Sequence, residues 1–283
     1  MTQWNGFDLS LSDKLRSRWN AAFFWLRNRV GYRRGNYQEN IAPGSEPTEW
    51  SSRLSPAELN RTQKYESLLG ETAAVLSLPS QQRTWATLDL LAAIPNKIWL
   101  QWKSTLPTQE PLLMDAGCQD FSRAPAIQAF IRNLGLVPHL TGIELDAYGM
   151  LGSIHSRADR ADFFARISGN ARFQVGDFFS LDPTHRYNTI FCFYPFVSPH
   201  PALAWGLPYE FGDAGKWIRA IERNLAKNGL AVMVHQGAWE EEEFRNALIK
   251  AESSLRIAFS AELQEVFEPH PHPTRLGVYS SEA

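Results

Sequence analysis

Cysteine is scarce in this sequence, whose 283 residues include two, Cys118 and Cys192. Both fall in or next to apolar segments that are predicted to be buried strands, and they lie far apart in the chain. Two such thiols do not form the disulfide framework of a secreted protein, so we expect both to be reduced in a cytoplasmic protein. The sequence has no Cys-x-x-Cys pair and no His/Cys cluster with zinc spacing, and it therefore predicts no metal site.

Neither sign of charge dominates, and long apolar runs are missing. The 28 basic and 30 acidic residues leave a formal net charge of -2. This balance gives no general attraction to nucleic acid or to anionic membranes, and we expect no nucleic-acid partner. The longest early apolar stretch, residues 21–26, is far too short to cross a bilayer, and no basic region leads into a longer one. The sequence thus predicts neither a signal peptide nor a membrane span.

Tryptophan is abundant and is concentrated in residues 1–110, which hold seven of the ten. Apolar residues recur at helical spacing in residues 11–30, among five basic side chains, and this pattern predicts an amphipathic helix. Such a helix is also open to a role in binding a membrane surface or an acidic partner. Ser55 and Glu58 form a capping box that predicts the start of another helix. Further helical segments are predicted over 55–69 or 55–76 and over 85–102, the last interrupted near Pro95.

From residue 111 the pattern changes to alternating strands and helices, which is typical of a parallel sheet. The sequence predicts strands over 111–116, 140–145, 172–176, 187–194 and 230–235, and helices over 123–134, 148–167, 213–227 and 239–254. Asp213 is the predicted N-cap of the third of these helices. Two final strands, 257–267 and 275–280, are joined by a turn at 268–274. Because they are close in sequence, we expect them to pair as an antiparallel hairpin at the edge of the sheet.

Four segments in this half follow each other in an informative order. They are Leu112–Gln119, Leu140–Asp146, Phe173–Phe179 and Leu225–Val234, and the first three are apolar runs that end on an acidic residue or a Gly turn. Ligands of open α/β sheets bind at the carboxyl ends of the strands, where these residues are expected to meet. The series resembles the class I S-adenosylmethionine (SAM)-dependent methyltransferases.

The resemblance implies a fold, a division of the chain and a cofactor. The fold is an α/β, doubly wound, mostly parallel seven-stranded sheet with a C-terminal antiparallel hairpin, plus a helical N-terminal segment. Residues 111–283 would form the SAM-binding Rossmann-like domain, and residues 1–110 a lid or substrate segment. The implied function is methyl transfer from SAM to a small molecule.

The resemblance also assigns residues to the cofactor. Glu144 would accept hydrogen bonds from the ribose hydroxyls, with Asp146 as the alternative if the strand register shifts by two. Asp177 would accept from the adenine amino group, beside the backbone N–H and ring of Phe178. The remaining cofactor positions are Asp115, Ala116, Gly117 and Gln119 in the first loop, Leu145 after the second strand, and Phe193 near the reactive methyl group.

Three positions depart from the family pattern. Gln119 and Phe121 stand where the family has its second and third glycines, and Asn188 stands where an acidic residue is common. The lost glycines count more strongly against a dinucleotide, whose pyrophosphate needs a complete Gly-x-Gly-x-x-Gly loop, than against SAM. They also support an alternative hypothesis, a methyltransferase-like binding or scaffold protein without catalysis.

Candidate acid–base groups are His200, in the loop after the fourth strand, and His235, at the end of the fifth, because histidine titrates near neutral pH. Tyr194 joins them as a candidate catalytic residue from its position after Phe193. An acceptor that is already nucleophilic needs no base, since positioning supplies much of such catalysis. A protein or RNA acceptor and a homodimer are further alternatives that the sequence leaves open.

Overall fold

A computed structural model describes residues 9–40, 54–150, 154–182, 184, 186–264, 267 and 273–281. Its helices are α1 Leu11–Val30, α2 Pro56–Leu69, α3 Leu78–Ala93, α4 Asn96–Thr105, α5 Ala124–Asn133, α6 Arg157–Ser168, α7 Pro199–Ala204, α8 Ala214–Asn224 and α9 Ala238–Lys250. Its strands are β1 Leu112–Ala116, β2 His139–Glu144, β3 Ala171–Val175, β4 Tyr187–Phe193, β5 Leu225–His235, β6 Leu255–Leu263 and β7 Thr274–Ser281. Short 3-10 turns span Gly70–Val75, Phe178–Ser180 and Tyr209–Phe211.

The seven strands form one sheet in the order β3-β2-β1-β4-β5-β7-β6. Strands β1 to β5 pair in parallel, and β7 runs antiparallel between β5 and β6. The predicted doubly wound, mostly parallel sheet with a C-terminal antiparallel hairpin is therefore confirmed. The strand order reverses between β1 and β4, and open α/β sheets bind their ligands at such a reversal.

Apolar side chains alternate between the two faces of the sheet, so each face has its own core. One core joins the sheet to α3, α4 and α5, and the other joins it to α8 and α9. In β1, Leu113 belongs to the first core and Met114 to the second. The first core includes Leu91, Trp99, Ile127, Leu140, Phe191 and Val232; the second includes Ile143, Ile190, Ile218, Met233 and Phe244.

Helices α3 and α4 cover the first face of the sheet, while α2 packs against α3 and α5 in a separate cluster. Trp99 and Trp102 of α4 are fully buried, and the Trp102 indole N–H donates to the carbonyl of Asn188 at 3.0 Å. The Asn188 side chain in turn accepts from the backbone N–H of Leu112 at 2.9 Å, which fixes the start of β1. Asn188 thus stands at the amino end of β4, away from the carboxyl edge of the sheet. Its difference from the family pattern therefore does not affect that edge directly.

Several predicted boundaries are wrong for local reasons. Helix α6 starts at Arg157, not at 148, because Ser156 caps it and Met150 pairs with Ser156 in a short bridge. Helix α8 ends at Asn224, before the predicted 227, because Leu225 already pairs with β4. The turn predicted at 268–274 and the loop before Ser55 lie largely outside the described residues.

Other local predictions are confirmed. The Ser55–Glu58 capping box begins α2, with both reciprocal hydrogen bonds present. The interruption near Pro95 separates α3 from α4. Asp213 caps α8 by accepting from the N–H of Lys216 at 3.1 Å.

Gly142 in β2 is required by close packing, and its substitution should destabilise the fold. A Cβ at Gly142 would lie 2.5 Å from two Phe121 ring atoms and 2.9 Å from the Cys118 sulfur, which are both buried. We expect Gly142→Ala to lower the free energy of unfolding by about 1–3 kcal/mol, measured by urea titration. The control Gly176→Ala would place its Cβ at an ordinary contact distance, 3.4 Å from the Ile143 side chain, and should change the free energy of unfolding much less. An equally stable Gly142→Ala variant would contradict this packing.

Candidate functional site

A cleft lies at the carboxyl ends of β1, β2 and β4, next to the reversal of strand order. Its free volume is about 630 Å³, a figure that includes the solvent at its open mouth. Its walls come from the loops after the strands, from the segment 205–211 and from α8. The lining residues are Ala116, Gly117, Gln119, Ile143, Glu144, Leu145, Gly176, Asp177, Phe178, Phe179, Phe193, Tyr194, Pro195, Phe196, Trp205, Leu207, Phe211 and Trp217.

The loop after β1 keeps a left-handed backbone although two of its family glycines are replaced. Gly117, Gln119 and Phe121 have φ values of 69°, 55° and 60°. The N–H groups of Gly117 and Cys118 both donate to the carbonyl of Ile143, at 2.9 and 3.2 Å, and so tie the loop to β2. A non-glycine residue in this conformation costs about 1–2 kcal/mol. The loop thus holds a left-handed backbone at two non-glycine positions, at a cost in strain.

The two replaced glycines differ in what their side chains do. Phe121 is completely buried and packs in the first core, in the space left by Gly142. Burial of the ring therefore offsets the strain at Phe121. Gln119 lines the cleft instead, and no such burial compensates its backbone.

Glu144 ends β2 at the centre of the cleft wall. Its carboxylate accepts from the backbone N–H groups of Gln119 and Asp146, both at 2.8 Å. Burial raises the pKa of Glu144, while Arg157 and these two N–H groups oppose the rise. A carboxylate has about four acceptor positions, so two remain for a ligand.

Asp146 is engaged in a buried ion-pair cluster. Its carboxylate pairs with Arg27 of α1 at 3.0 Å and also with Arg157 of α6. The Arg157 guanidinium in turn lies 4.9 Å over the Trp205 ring, which lines the cleft. The strand register puts Glu144, and not Asp146, at the end of β2, so the alternative ribose assignment is not favoured by the observed register.

Asp177 and the aromatic rings beside it form the wall below β3. Asp177 is half-buried and accepts from the N–H of Phe179 and the hydroxyl of Ser180, both at 2.9 Å. The Trp217 ring lies 5.6 Å from that of Phe178 and 5.1 Å from that of Phe179. Trp217 is buried, and its indole N–H has no hydrogen-bond partner among the described residues.

Asp115 lies directly behind the cleft wall and is fully buried. Neither of its carboxyl oxygens has a hydrogen-bond partner in the described part of the chain. Burial raises the pKa of Asp115 to about 7, with Glu144 and Asp120 adding to the rise and Arg123 opposing it. A carboxyl group in this setting loses its proton only near neutral pH.

The end of β4 forms the opposite wall. Phe193 is buried, and Tyr194 after it has a φ of 56°, which makes it the second strained residue of the cleft lining after Gln119. The Arg123 guanidinium lies 4.8 Å over the Phe193 ring and 5.5 Å over the Tyr194 ring. Strained backbone is often held at functional sites, which favours a role for this segment.

Helix α1 lies over the segment that closes the cleft. The Asn20 side chain donates to the carbonyls of Leu203 and Leu207, at 3.2 and 2.9 Å. The rings of Phe24 and Phe211 are 5.5 Å apart. Leu207 and Phe211 line the cleft, so α1 packs directly behind this part of its wall.

The candidate histidines are not brought into the cleft. His235 is completely buried against Phe244 at a ring distance of 5.5 Å, and burial lowers its pKa to about 4. His200 is exposed on α7 and is not part of the lining. Of the three predicted catalytic residues, only Tyr194 lines the cleft. Sequence reasoning missed Trp217, whose helix was predicted but whose approach to Gly117 depends on tertiary packing.

The sequence matches no protein-family model and no curated protein. The fold, however, matches solved structures. A Listeria monocytogenes protein assigned to the class I SAM-dependent methyltransferases superposes with a TM-score of 0.50 at 12% identity, over 72% of this chain and 69% of that one. Identity this low shows the fold alone, and the fold is the one that the order of the motifs implied.

Two further methyltransferase structures overlap less closely. A SAM-dependent methyltransferase from Aquifex aeolicus gives a TM-score of 0.46 at 12% identity, over 66% of this chain and 89% of that one. A TehB-like SAM-dependent methyltransferase from Corynebacterium glutamicum gives 0.43 at 16% identity, over 81% and 100%. These scores carry no argument beyond the first comparison.

Removal of the strain at Gln119 should stabilise the fold. Gln119→Gly makes the left-handed backbone free of steric cost and should raise the free energy of unfolding by about 1 kcal/mol. Phe121→Gly is the matched control, because it relieves the same strain but loses a buried ring, and should destabilise by about 2 kcal/mol or more. Urea titration of both variants tests the pair. A destabilised Gln119→Gly variant would show that the Gln119 side chain is itself part of the folded loop.

Asp115 should make stability depend on pH. The folded protein holds the Asp115 proton up to about pH 7, whereas the unfolded chain releases it near pH 4. Folding therefore takes up a proton in this window, and stability falls as the pH rises through it. Asp115→Asn should flatten the decline, measured by urea unfolding at several pH values against the wild type. Identical slopes for the two proteins would contradict the shift.

Proposed function

We propose that the protein is a SAM-dependent methyltransferase that acts on a small-molecule acceptor. The observation that carries the proposal is the single cleft that joins Gly117, Glu144 and Asp177 at the reversal of strand order. The comparisons support the fold, and the cleft residues support the cofactor.

The residues of the cleft fit SAM by their chemistry. Glu144 has acceptor positions left for the ribose hydroxyls, and Asp177 keeps acceptor positions for the adenine amino group. Phe178 and Trp217 offer apolar surface next to Asp177. The left-handed turn at Gly117, with a φ of 69°, carries no steric cost for glycine and lets the backbone come close to a ligand.

A buried polar group of the lining supports a polar ligand. The Trp217 indole N–H lines the cleft and lacks a hydrogen-bond partner among the described residues, whereas Asp115 lies behind the wall and does not reach the cleft. Buried polar groups without partners are rare in native proteins and call for an explanation such as a bound molecule. We assign the remaining cofactor contacts to Ala116, Gln119, Leu145 and Phe193, as the motif order implies.

When bound, SAM supplies a sulfonium methyl group to a nucleophile that is held in line with it. The protein's contribution is then position and exclusion of water. Phe193, Pro195 and Phe196 form an apolar wall after β4, and Trp205 and Phe211 close the cleft under α1. This enclosure favours an acceptor with apolar or aromatic surface.

The absence of His200 and His235 from the lining restricts the acceptor. The Tyr194 hydroxyl is then the candidate group for orienting the nucleophile or moving a proton. An amine, thiolate or enolate that is already nucleophilic fits this cleft better than an alcohol that needs a strong base. Correct orientation alone supplies a large part of the rate of such transfers.

The cleft that joins Gly117, Glu144 and Asp177 also fits a second candidate, a SAM-binding protein without catalysis. In that case the cleft binds the cofactor, but no acceptor is methylated. The two functions are separated by binding without turnover: both predict SAM binding, and the first alone predicts methyl transfer in a screen of small nucleophiles.

Calorimetric titration with SAM and, separately, with NAD tests the cleft. We expect SAM to bind and NAD not to bind, because the loop lacks the glycines that a pyrophosphate requires. Glu144→Ala should weaken SAM binding by about 1–3 kcal/mol through the loss of the ribose acceptors. Glu242→Ala, an exposed carboxylate on α9, is the matched control and should leave the affinity unchanged.

Glu144→Ala also removes the acceptor for two backbone N–H groups, so its thermal unfolding is measured in parallel. Glu144→Gln keeps one acceptor oxygen and should give an intermediate affinity. Unchanged SAM affinity in a folded Glu144→Ala variant would refute the ribose assignment. Failure of the wild type to bind SAM would refute the proposed function.

A further inference from the structure

The outward face of α1 exposes a broad apolar surface. We define this face by Leu11, Leu15, Trp19, Trp25, Leu26 and Val30, whose exposed fractions lie between 49 and 74%. On a soluble helix such a stripe normally faces the core. Contiguous exposed apolar surface of this kind marks a site of interaction.

The orientation of α1 is fixed by its opposite, polar face. Ser17 and Asn20 are the buried residues of the helix. Asn20 donates to two carbonyls of the cleft segment, Ser17 accepts from the N–H of Tyr209 at 3.1 Å, and Arg27 pairs with Asp146. These contacts point the polar side inward, so the apolar side faces outward as part of the fold.

Positive charge surrounds the outward face. Residues 11–30 contain five basic side chains and one acidic side chain, a net charge of +4 in a chain whose total is -2. Lys14, Arg16, Arg18 and Arg29 are exposed, whereas Arg27 is taken by Asp146. A helix with Trp and Leu on one side and Lys and Arg around it is the composition that binds the interface of an anionic bilayer.

We propose that α1 docks on the surface of anionic lipid bilayers through its outward face, lying in the plane of the interface. Among the described residues no helix is long and apolar enough to span a bilayer. The charge argues against a second copy as the occupant, because two such faces would bring the same four exposed basic side chains against each other. The apolar centre favours a bilayer over a purely acidic surface, because acidic groups give Trp19 and Leu26 no apolar contact.

The docking rests on the outward face and not on the function proposed above. It has a consequence for the cleft, because the inner side of α1 contacts Leu207 and Phe211 of the lining. A docked α1 would hold this wall of the cleft within a helix diameter of the interface, about 10 Å.

Flotation with lipid vesicles tests the docking. The full chain is mixed with phosphatidylcholine vesicles that contain either no phosphatidylglycerol or half phosphatidylglycerol. We expect binding to the anionic vesicles and at least about tenfold weaker binding to the neutral ones, since basic residues near an anionic surface are attracted to it. Binding should also weaken as the salt concentration rises.

Variants of the outward face and matched controls elsewhere locate the contact. Trp19→Glu, and separately Leu26→Glu, should each reduce binding about tenfold or more. Ile249→Glu places the same charge at an exposed apolar position of α9 and should not change it. Arg18→Glu with Arg29→Glu should reduce binding, whereas Lys227→Glu with Lys250→Glu should reduce it much less. Thermal unfolding of every variant confirms that it is folded, and SAM titration of the same variants should be unchanged.

Three results would overturn the proposal. The first is a wild type that does not float with anionic vesicles. The second is equal loss of binding in Ile249→Glu and in the variants of the outward face. The third is self-association on gel filtration that Trp19→Glu abolishes, without vesicle binding, because the occupant would then be a second copy. Retained SAM affinity separates each of these from failure of the proposed function.

Discussion

The hydrogen bonds of the Glu144 carboxylate are the interactions on which the architecture of the cleft depends. The carboxylate accepts from the N–H of Gln119 in the loop after β1 and from the N–H of Asp146 in the loop after β2. Asp146 then pairs with Arg157 of α6 and with Arg27 of α1. One buried carboxylate thereby connects the two neighbouring loops of the sheet, and through Asp146 it connects them to the helix above the cleft.

This connection places opposing demands on Glu144. Burial favours the protonated form and raises its pKa, while Arg157 and the two backbone N–H groups favour the charged form. Asp115 behind the wall lacks such partners, and burial raises its pKa to about 7. The pKa values of two neighbouring carboxyl groups in one buried region are thus both raised, a pattern that is common at functional sites.

Much of the fold could be predicted from the sequence because its signals are local. The change of hydrophobic period at residue 111, the capping box at Ser55 and the cap at Asp213 each identify an element without tertiary information. The start of α6 could not be predicted, because Ser156 competes as a cap with earlier residues and a bridge to Met150 decides between them.

The candidate site was predictable where it depends on strand ends. Gly117, Glu144 and Asp177 end β1, β2 and β3 at one edge of the sheet, and all three line the cleft. His235 also ends a strand, β5, and was predicted to reach the site for the same reason. It packs against Phe244 instead, because helix α9 covers that strand end. Alternation along a strand cannot show which side a helix will cover.

Helix α1 shows a second limit of the sequence pattern. An apolar stripe at helical spacing predicts the buried side of a helix. Here the buried side is the polar one, because carbonyls of the segment after α7 accept from Asn20 and Asp146 attracts Arg27. These partners are more than a hundred residues away in sequence, so the inversion depends on tertiary contacts that no local pattern contains.

The strained backbone of the cleft bears on whether the site still binds a ligand. Phe121 offsets its left-handed conformation by burying a ring, and that compensation is structural. Gln119 and Tyr194 have the same conformation but line the cleft, so core packing does not account for them. A loop with no ligand to accommodate could relax to a lower-energy backbone at a gain of about 1–2 kcal/mol for each such residue. Strain held at the cleft wall therefore favours a binding site that the replaced glycines have reshaped and not closed.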